Sequence, residues 1–366
     1  MYVSPTLICC LYNLTLEKDS KKIKMIYMIA ILFTLAVADF GEWYKKFGKF
    51  MTMYSITKEE SRKAYEENKK FILDFNNQNH SYTLSLNGRW VGFPRSKIHN
   101  IFRPRYNKPL RRQSDPNEYK LNKQCLEYYD SNGNVINASV FPNISPGPQP
   151  PIYNNPYVDW RENMSPVRDQ GSCGGCYTFG SVGALEGLLN IDYNRKFDLA
   201  EQQVIDCSKE YGNNGCNGGL GGNVYNYLLT HSLAYEYDYP FTGSTGQCKA
   251  SFSTHVQLKA YTCGLYNLPK YLKHGPVDIA MYVAGSFMYY SSGFYDGKGD
   301  GCTNNIMQTN HEMIAVGYGR TQLGVPYFII RNSWGSSWGM DGYAYVLTGT
   351  CSVDTDPEVP LQYELK

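Results

Sequence analysis

Nowhere among its 366 residues does this chain reach about 18 consecutive apolar residues, close to the minimum for a membrane-spanning helix. That absence predicts no membrane anchor. Charge of one sign is equally scarce: 35 Lys and Arg face 33 Asp and Glu, leaving a formal net charge of +2. A nucleic-acid or membrane-surface partner usually demands a strongly basic patch, so neither is expected. The chain has no internal repeat and no low-complexity block, which excludes stacked-repeat architectures. Cys173 and Cys176 are three apart, but no second close pair of ligands completes a zinc site; Cys207 and Cys216 are too widely spaced. A redox pair would want a preceding βαβ pattern, and none is present. No metal and no cofactor are expected.

Cysteine and tyrosine are abundant. Eleven cysteines are many for a cytosolic enzyme and point to an oxidising compartment. The 33 tyrosines suit half-buried strand positions, where the ring packs and the hydroxyl meets water. Lys21, Lys22 and Lys24 precede an apolar run from Met25 to Ala38 that closes with Ala36-Val37-Ala38. This is the charged, apolar and small-residue order of a secretory signal peptide, with Met25 the expected initiator. The expected destination is the secretory pathway, ending in lysosome-like vesicles or outside the cell.

Composition divides the rest. Residues 1–38 are the signal segment. Residues 39–102 read as a small helical region, with Trp43, Tyr44, Phe47 and Phe50 at helical spacing, and likewise Tyr65, Asn68, Ile72 and Asn76. Residues 103–152 are rich in Pro, Asn and Ser with little periodicity, which is linker composition and protease-accessible. Residues 153–366 form the main globular part: a predicted helix from Cys176 to about Asn190, then short strands at Met313–Val316, Tyr327–Arg331 and Gly342–Leu347. A helical half is thus followed by a β half.

The residues that carry chemistry begin at Gln170-Gly171-Ser172-Cys173-Gly174-Gly175-Cys176-Tyr177. Cys176 falls at the first turn of a helix, where unpaired N–H groups and the macrodipole favour a thiolate over a thiol. A thiolate attacks a carbonyl carbon without first surrendering a proton. The resulting oxyanion needs donors already aimed at it, and the Cys176 backbone N–H and the Gln170 amide can supply two. Of His231, His255, His274 and His311, only His311 stands at the head of a predicted strand, Asn310-His311-Glu312-Met313-Ile314. A rigid strand end suits an imidazole partner. Asn332, in Arg331-Asn332-Ser333-Trp334-Gly335, can accept the second imidazole N–H, with Trp334 and Trp338 as a shield from water.

These three separated motifs resemble the papain and cathepsin L family of cysteine proteases, amoebic (histolysain-type) members in particular, over about residues 157–358. Cys176 and His311 stand 135 positions apart, and Cys176 and Asn332 stand 156 apart, close to that family's spacing. The resemblance implies an α+β papain-like two-domain fold, helical left domain and β-barrel right domain, behind an N-terminal helical propeptide. It implies a monomeric thiol endopeptidase made as a zymogen, with Cys176 and His311 as the reacting pair, Asn332 orienting the imidazole and Gln170 completing the oxyanion hole. Partners would be protein and peptide substrates, the chain's own propeptide as an intramolecular inhibitor, and cystatin-like inhibitors. Gly175 stands where Ser or Ala is usual, and Tyr177 replaces the common Trp. In the propeptide signature Ser61 occupies the usual Arg place, with Arg62 one step away. A catalytically silent binding protein of the same fold is the alternative.

The resemblance further implies bridges Cys173–Cys216, Cys207–Cys248 and Cys302–Cys351, with Cys263 left over or paired with Cys125. Each bridge should stabilise by roughly 2–4 kcal/mol. Gly218 and Gly219 would bind the substrate backbone as an extended strand. Leu220, Ala280 and Thr309 would line the pocket for the second residue before the scissile bond, with Asp356 at its floor, Glu312 near it and Trp334 beside the cleft. A carboxylate ending an apolar slot favours Arg there. On that rule Arg111-Arg112-Gln113 is a self-cleavage site, and Asn137-Ala138-Ser139 is a glycosylation acceptor in the discarded part.

Overall fold

Two helices made by aromatic spacing lead the chain. The computed structural model describes residues 40–100, 128–130, 135–136, 157–249, 251–263, 268–283, 285–298, 300–302, 304 and 308–366. The expected signal segment, the expected self-cleavage site Arg111–Gln113, Cys125 and the glycosylation candidate Asn137 lie outside these residues. The chain divides into two units, Met1–Lys46 and Phe47–Lys366. Of the first, the described part is the opening of α1 (Phe40–Met53).

Helix α2 (Lys58–Asn76) starts on a reciprocal cap: the Thr57 hydroxyl accepts the Glu60 N–H at 3.1 Å, and the Glu60 carboxylate accepts the Thr57 N–H at 2.8 Å. Its buried face carries Ser61, Ala64, Tyr65, Asn68, Ile72 and Phe75, so three of the four expected positions are buried and Asn76 is exposed. Buried Asn68 is fully employed. Its amide donates to the Val91 and Phe93 carbonyls at 2.9 and 3.1 Å, and its oxygen accepts from Arg95 at 2.9 Å. The region is less uniformly helical than its composition predicts. After α2 come a strand, β1 (Tyr82–Leu84), and single-turn helices over Arg89–Gly92 and Arg95–Asn100. The Asn76 side chain bonds both the Leu84 N–H and its carbonyl, pinning the strand beside the helix.

The Pro-rich stretch also holds more order than its composition predicts. Within it, β2 (Tyr128–Asp130) and β3 (Val135–Ile136) pair with each other, and β2 lies against β5 (Val256–Cys263) with Tyr129 opposite Tyr261.

The helical half comprises α3 (Cys176–Tyr193), α4 (Glu201–Cys207) and α5 (Gly221–Thr230). The β half follows with β6 (Val277–Met281), β7 (Tyr290–Tyr295), β8 (His311–Arg320), β9 (Pro326–Arg331), β10 (Tyr343–Leu347) and β11 (Glu358–Leu365). The predicted helix and three predicted strands are all present: α3 runs to Tyr193, β8 is six residues longer than expected, β9 one longer and β10 one shorter. The strands run in the order β1-β7-β10-β9-β8-β6-β11-β5-β2-β3, with β4 (Val158–Asp159) also on β8.

Helix α3 is buried nearly all round because both halves pack on it. Tyr177, Val182, Leu185 and Leu189 join Val224, Tyr225 and Leu228 of α5 in one core. Ala184 joins Ile314, Val316 and Ile329 in another. The face toward the sheet carries Gly180, Gly183 and Gly187. A methyl on Gly183 would fall 2.5 Å from Ile314 Cδ1, and one on Gly187 would fall 2.5 Å from Pro276 Cγ. Bare positions thus let the helix lie directly on β6 and β8. All three implied disulfides are formed, Cys173–Cys216, Cys207–Cys248 and Cys302–Cys351. Among the described residues, no helix is long and apolar enough to cross a membrane.

Candidate active site

Cys176 opens α3 with no side-chain cap ahead of it. The turn before it is clamped: the Gly174 N–H donates to the Cys216 carbonyl at 2.9 Å, beside the Cys173–Cys216 bridge. A methyl on Gly174 would fall 2.6 Å from that carbonyl oxygen, so this approach requires glycine. Cys176 itself is partly exposed.

His311 heads β8, fully buried, with Nε2 2.9 Å from Asn332 Oδ1. The Ser333 N–H donates to that same oxygen at 2.8 Å, which fixes the amide orientation. Nε2 must then carry the imidazole hydrogen, and Nδ1, also shielded from solvent, is the basic nitrogen. Trp334 stacks on the ring at 4.9 Å, and Trp338 meets Trp334 edge-on at 5.3 Å. Trp334 thus covers the His311 ring directly, and Trp338 forms a second layer.

Gln170 is tied to the same corner. Its N–H donates to the Ser333 carbonyl at 2.9 Å, the Ser333 hydroxyl donates to its Oε1 at 2.6 Å, and its Nε2 donates to the Cys173 carbonyl at 3.0 Å. Helix α3 and strand β8 begin at the same end of their contact. A methyl on Gly183 would touch Ile314, and one on Gly180 would lie 3.4 Å from Glu312 Cβ. Cys176 lies one turn before Gly180, so the start of α3 and the head of β8 are neighbours at the level of the backbone.

Burial pushes the His311 imidazole down to about 4, against a smaller opposing effect of Asn332. A base held below its ordinary value of about 6.5 gives stability that is present above that value and lost as pH falls toward about 4. The loss amounts to about 3 kcal/mol when complete. The His311→Gln precursor should therefore show a shallower fall in urea-unfolding stability between pH 6.5 and 4 than the parent. Parallel slopes would refute the assignment. A second buried set lies behind Asn332, around a cavity of about 10 Å³ lined by Glu186, Glu201, Arg168 and Arg331. Burial pushes Glu186 up to about 7, with Arg331 the main opposing charge.

Gly218 has φ of +107° and open space beyond it, the conformation and clearance an extended substrate would need. Gly219 packs against Asn213 and the Tyr177 ring, where a methyl would collide. Leu220 is partly exposed, Ala280 lies opposite Glu312 across β6 and β8, and Thr309 is buried two residues before His311. Asp356 is buried, 8% exposed. Because Glu358 pairs with Asp278, Asp356 falls near the level of Ala280. Glu312, whose direction the sequence leaves open, turns toward α5 and accepts the Gly221 N–H at 3.2 Å. There it meets two acids that sequence reasoning misses. Oxygens of Asp278, Glu312 and Glu358 all lie within 3.0 Å of the point where a Gly221 Cβ would stand. A single acid within the short strand Val277–Met281, buried along its whole length, gives no signal until the fold gathers its neighbours.

Part of the leading region lies over this corner. The Tyr54 hydroxyl donates to the Gly171 carbonyl at 3.2 Å, Arg89 Nη1 holds both Asp169 oxygens at 2.6 Å, and Trp90 meets Trp334 edge-on at 5.2 Å. The loop bearing Gln170 is gripped on either side of it.

A helical half and a β half packed along α3, with His311 and Asn332 paired at one end and part of the chain's own leading region over them, are the fold of a cysteine peptidase precursor. Known structures share the fold. Digestive procathepsin L2 proteinase from Tenebrio molitor larval midgut superposes with a TM-score of 0.68 at 23% identity, over 87% of this chain and 100% of that one. The proform of Amb a 11, a cysteine protease and ragweed pollen allergen, gives 0.65 at 23% identity, over 90% and 97%. Residues 155–361 match the papain family cysteine protease profile, and the chain belongs to that family. Cysteine proteinase 2 of Entamoeba histolytica is 36% identical over 349 residues, 91% of this chain and 98% of that protein. Cysteine proteinase 1 of the same organism is 44% identical over 219 residues, 57% and 69%.

Proposed function

We propose that this chain is the precursor of a secretory-pathway thiol endopeptidase that favours Arg at the second position before the cut. The supporting observation is the His311–Asn332 bond with Gln170 tied beside it through Ser333. In this reading Nδ1 of His311 takes the Cys176 proton, giving a thiolate and an imidazolium. The sulfur adds to the peptide carbonyl carbon, and the developing oxyanion is met by the Cys176 N–H and the second amide hydrogen of Gln170. The imidazolium then protonates the departing amine, leaving an acyl-enzyme thioester that water cleaves with His311 as base. Asn332 keeps the ring in the required tautomer throughout.

Residues 1–38 would be removed on secretion and 39–102 would inhibit in place. Residues 103–152 would be cut during maturation, with Arg111-Arg112-Gln113 one site, freeing 153–366. Gly218 and Gly219 would hold the substrate backbone, and Leu220, Ala280 and Thr309 would enclose the side chain above Asp356. For Asp356→Ala, the ratio of kcat/KM for an Arg peptide over its Leu counterpart should fall about 10- to 100-fold, through loss of a charge-assisted hydrogen bond. An unchanged ratio would remove Asp356 from the pocket.

A further inference from the structure

Strand β1 completes the edge of β7, and the pair shows what that edge is shaped to hold. Tyr82 lies opposite Gly293 and Thr83 opposite Ser292. The Phe294 N–H donates to the Ser81 carbonyl, and the Ser85 N–H donates to the Tyr289 carbonyl, both at 2.8 Å. Gly293 has φ of +89°, and a methyl there would fall 2.5 Å from the Ser81 carbonyl oxygen and 2.7 Å from Tyr82 Cα. The edge is therefore cut for close approach of another backbone, the requirement for recognition by strand addition.

Side chains add selectivity. Tyr82 and Leu84 point inward, 3% and 4% exposed, while Ser81 and Thr83 point out. Ser81 donates to Asp296 at 3.0 Å, and the Thr83 hydroxyl meets the Ser292 hydroxyl at 2.9 Å. The Tyr82 ring packs edge-on against Tyr295 at 5.0 Å, and its hydroxyl is 2.7 Å from Ser286 Oγ. Ser286 donates its own hydroxyl hydrogen to Asp300, which also accepts from the Ser286 N–H at 2.9 Å and the Tyr295 hydroxyl at 2.8 Å. With the Ser286 hydrogen committed, Tyr82 must be the donor. The slot thus asks for a phenolic O–H and would leave a Phe ligand one bond short.

This slot adjoins the reacting corner without entering it. Phe287 meets Trp338 at 5.1 Å, and the Trp338 indole N–H donates to the Met288 carbonyl at 3.2 Å. Trp338 in turn packs on Trp334, which stacks on His311.

We propose that, once maturation removes β1, the β7 edge and the slot over Ser286 form a second binding site for extended substrate segments of the pattern small polar–Tyr–x–Leu. The proposal rests on the precursor reading above. The vacated surface selects protein substrates over short peptides by holding a segment outside the cleft.

The test uses processed enzyme whose Cys176 has been alkylated with iodoacetamide, so that binding needs no working thiol. A fluorophore-tagged peptide of residues 79–86 is titrated by anisotropy. Saturable binding is expected, about 10-fold weaker for Tyr82→Phe and absent for Tyr82→Ala. Ser286→Ala enzyme, checked by its thiol-labelling rate before alkylation, should bind the parent peptide and the Tyr82→Phe peptide equally. On unalkylated enzyme the peptide should slow cleavage of a protein containing Tyr-x-Leu and spare a dipeptidyl fluorogenic substrate. No saturable binding, equal binding of the Tyr82→Ala peptide, or parallel inhibition of both substrates would overturn the proposal. Failure of Cys176 to label or of the enzyme to cut any peptide would instead count against the protease mechanism.

Discussion

Cys176→Ala should lower kcat/KM for peptide hydrolysis by about ten-thousand-fold or more while leaving the three disulfides and the fold in place. The side chain is small and partly exposed at a helix start, so its loss opens no sizeable cavity. The thiolate has no ready substitute: the Ser333 hydroxyl already donates to Gln170. What remains should be the modest effect of the oxyanion donors alone. The variant precursor should stay full length on acidification, and a small amount of active enzyme should cut it. Hydrolysis within tenfold of the parent, or labelling by a thiol-directed epoxide at another cysteine with activity retained, would displace Cys176 as nucleophile.

Trp90→Ala should free the precursor from latency at neutral pH. Trp90 is 1% exposed and meets Phe50 at 5.1 Å, Phe93 at 5.4 Å and Trp334 at 5.2 Å. It is thus the centre of the leading region's aromatic core and its contact with the aromatic shield over His311. Truncating a buried Trp to Ala costs about 3–5 kcal/mol. Drawn from the docking of the leading region, that shifts the covered-to-open ratio by a factor of about a hundred or more. Labelling of Cys176 at pH 7 should then proceed at close to the rate of processed enzyme, and Trp90→Phe should restore most of the protection. A Trp90→Ala precursor as unreactive as the parent would show that latency is held elsewhere, with Arg89–Asp169 the next place to look.

Much of this site was legible in the linear chain because the chemistry needs rare residues in fixed settings. Cys176 is marked by the glycines that bring its turn against Cys216, and Asn332 by the Ser and Trp that follow it. His311 was separable from three other histidines by its place at a strand head. The local signals of the helices also held, since α3 and the capped α2 of the leading region are written in short-range spacing. What escaped depends on long-range register. The hairpin of Tyr128 and Val135 hid among prolines. Strand β1 followed a helix with only three residues to declare itself. The three carboxylates around Gly221 come from β6, β8 and β11, and no segment of sequence contains more than one of them.

The cover over His311 also bears on the chemistry beneath it. A neutral imidazole is what the covered, dry corner favours, whereas the attacking ion pair needs a charged one. Wetting the ring and arming the sulfur are therefore one event. In the proposed mechanism the hydrogen an uncovered ring takes up is the one the Cys176 thiol gives up, so exposure and readiness arrive together without a separate sensor.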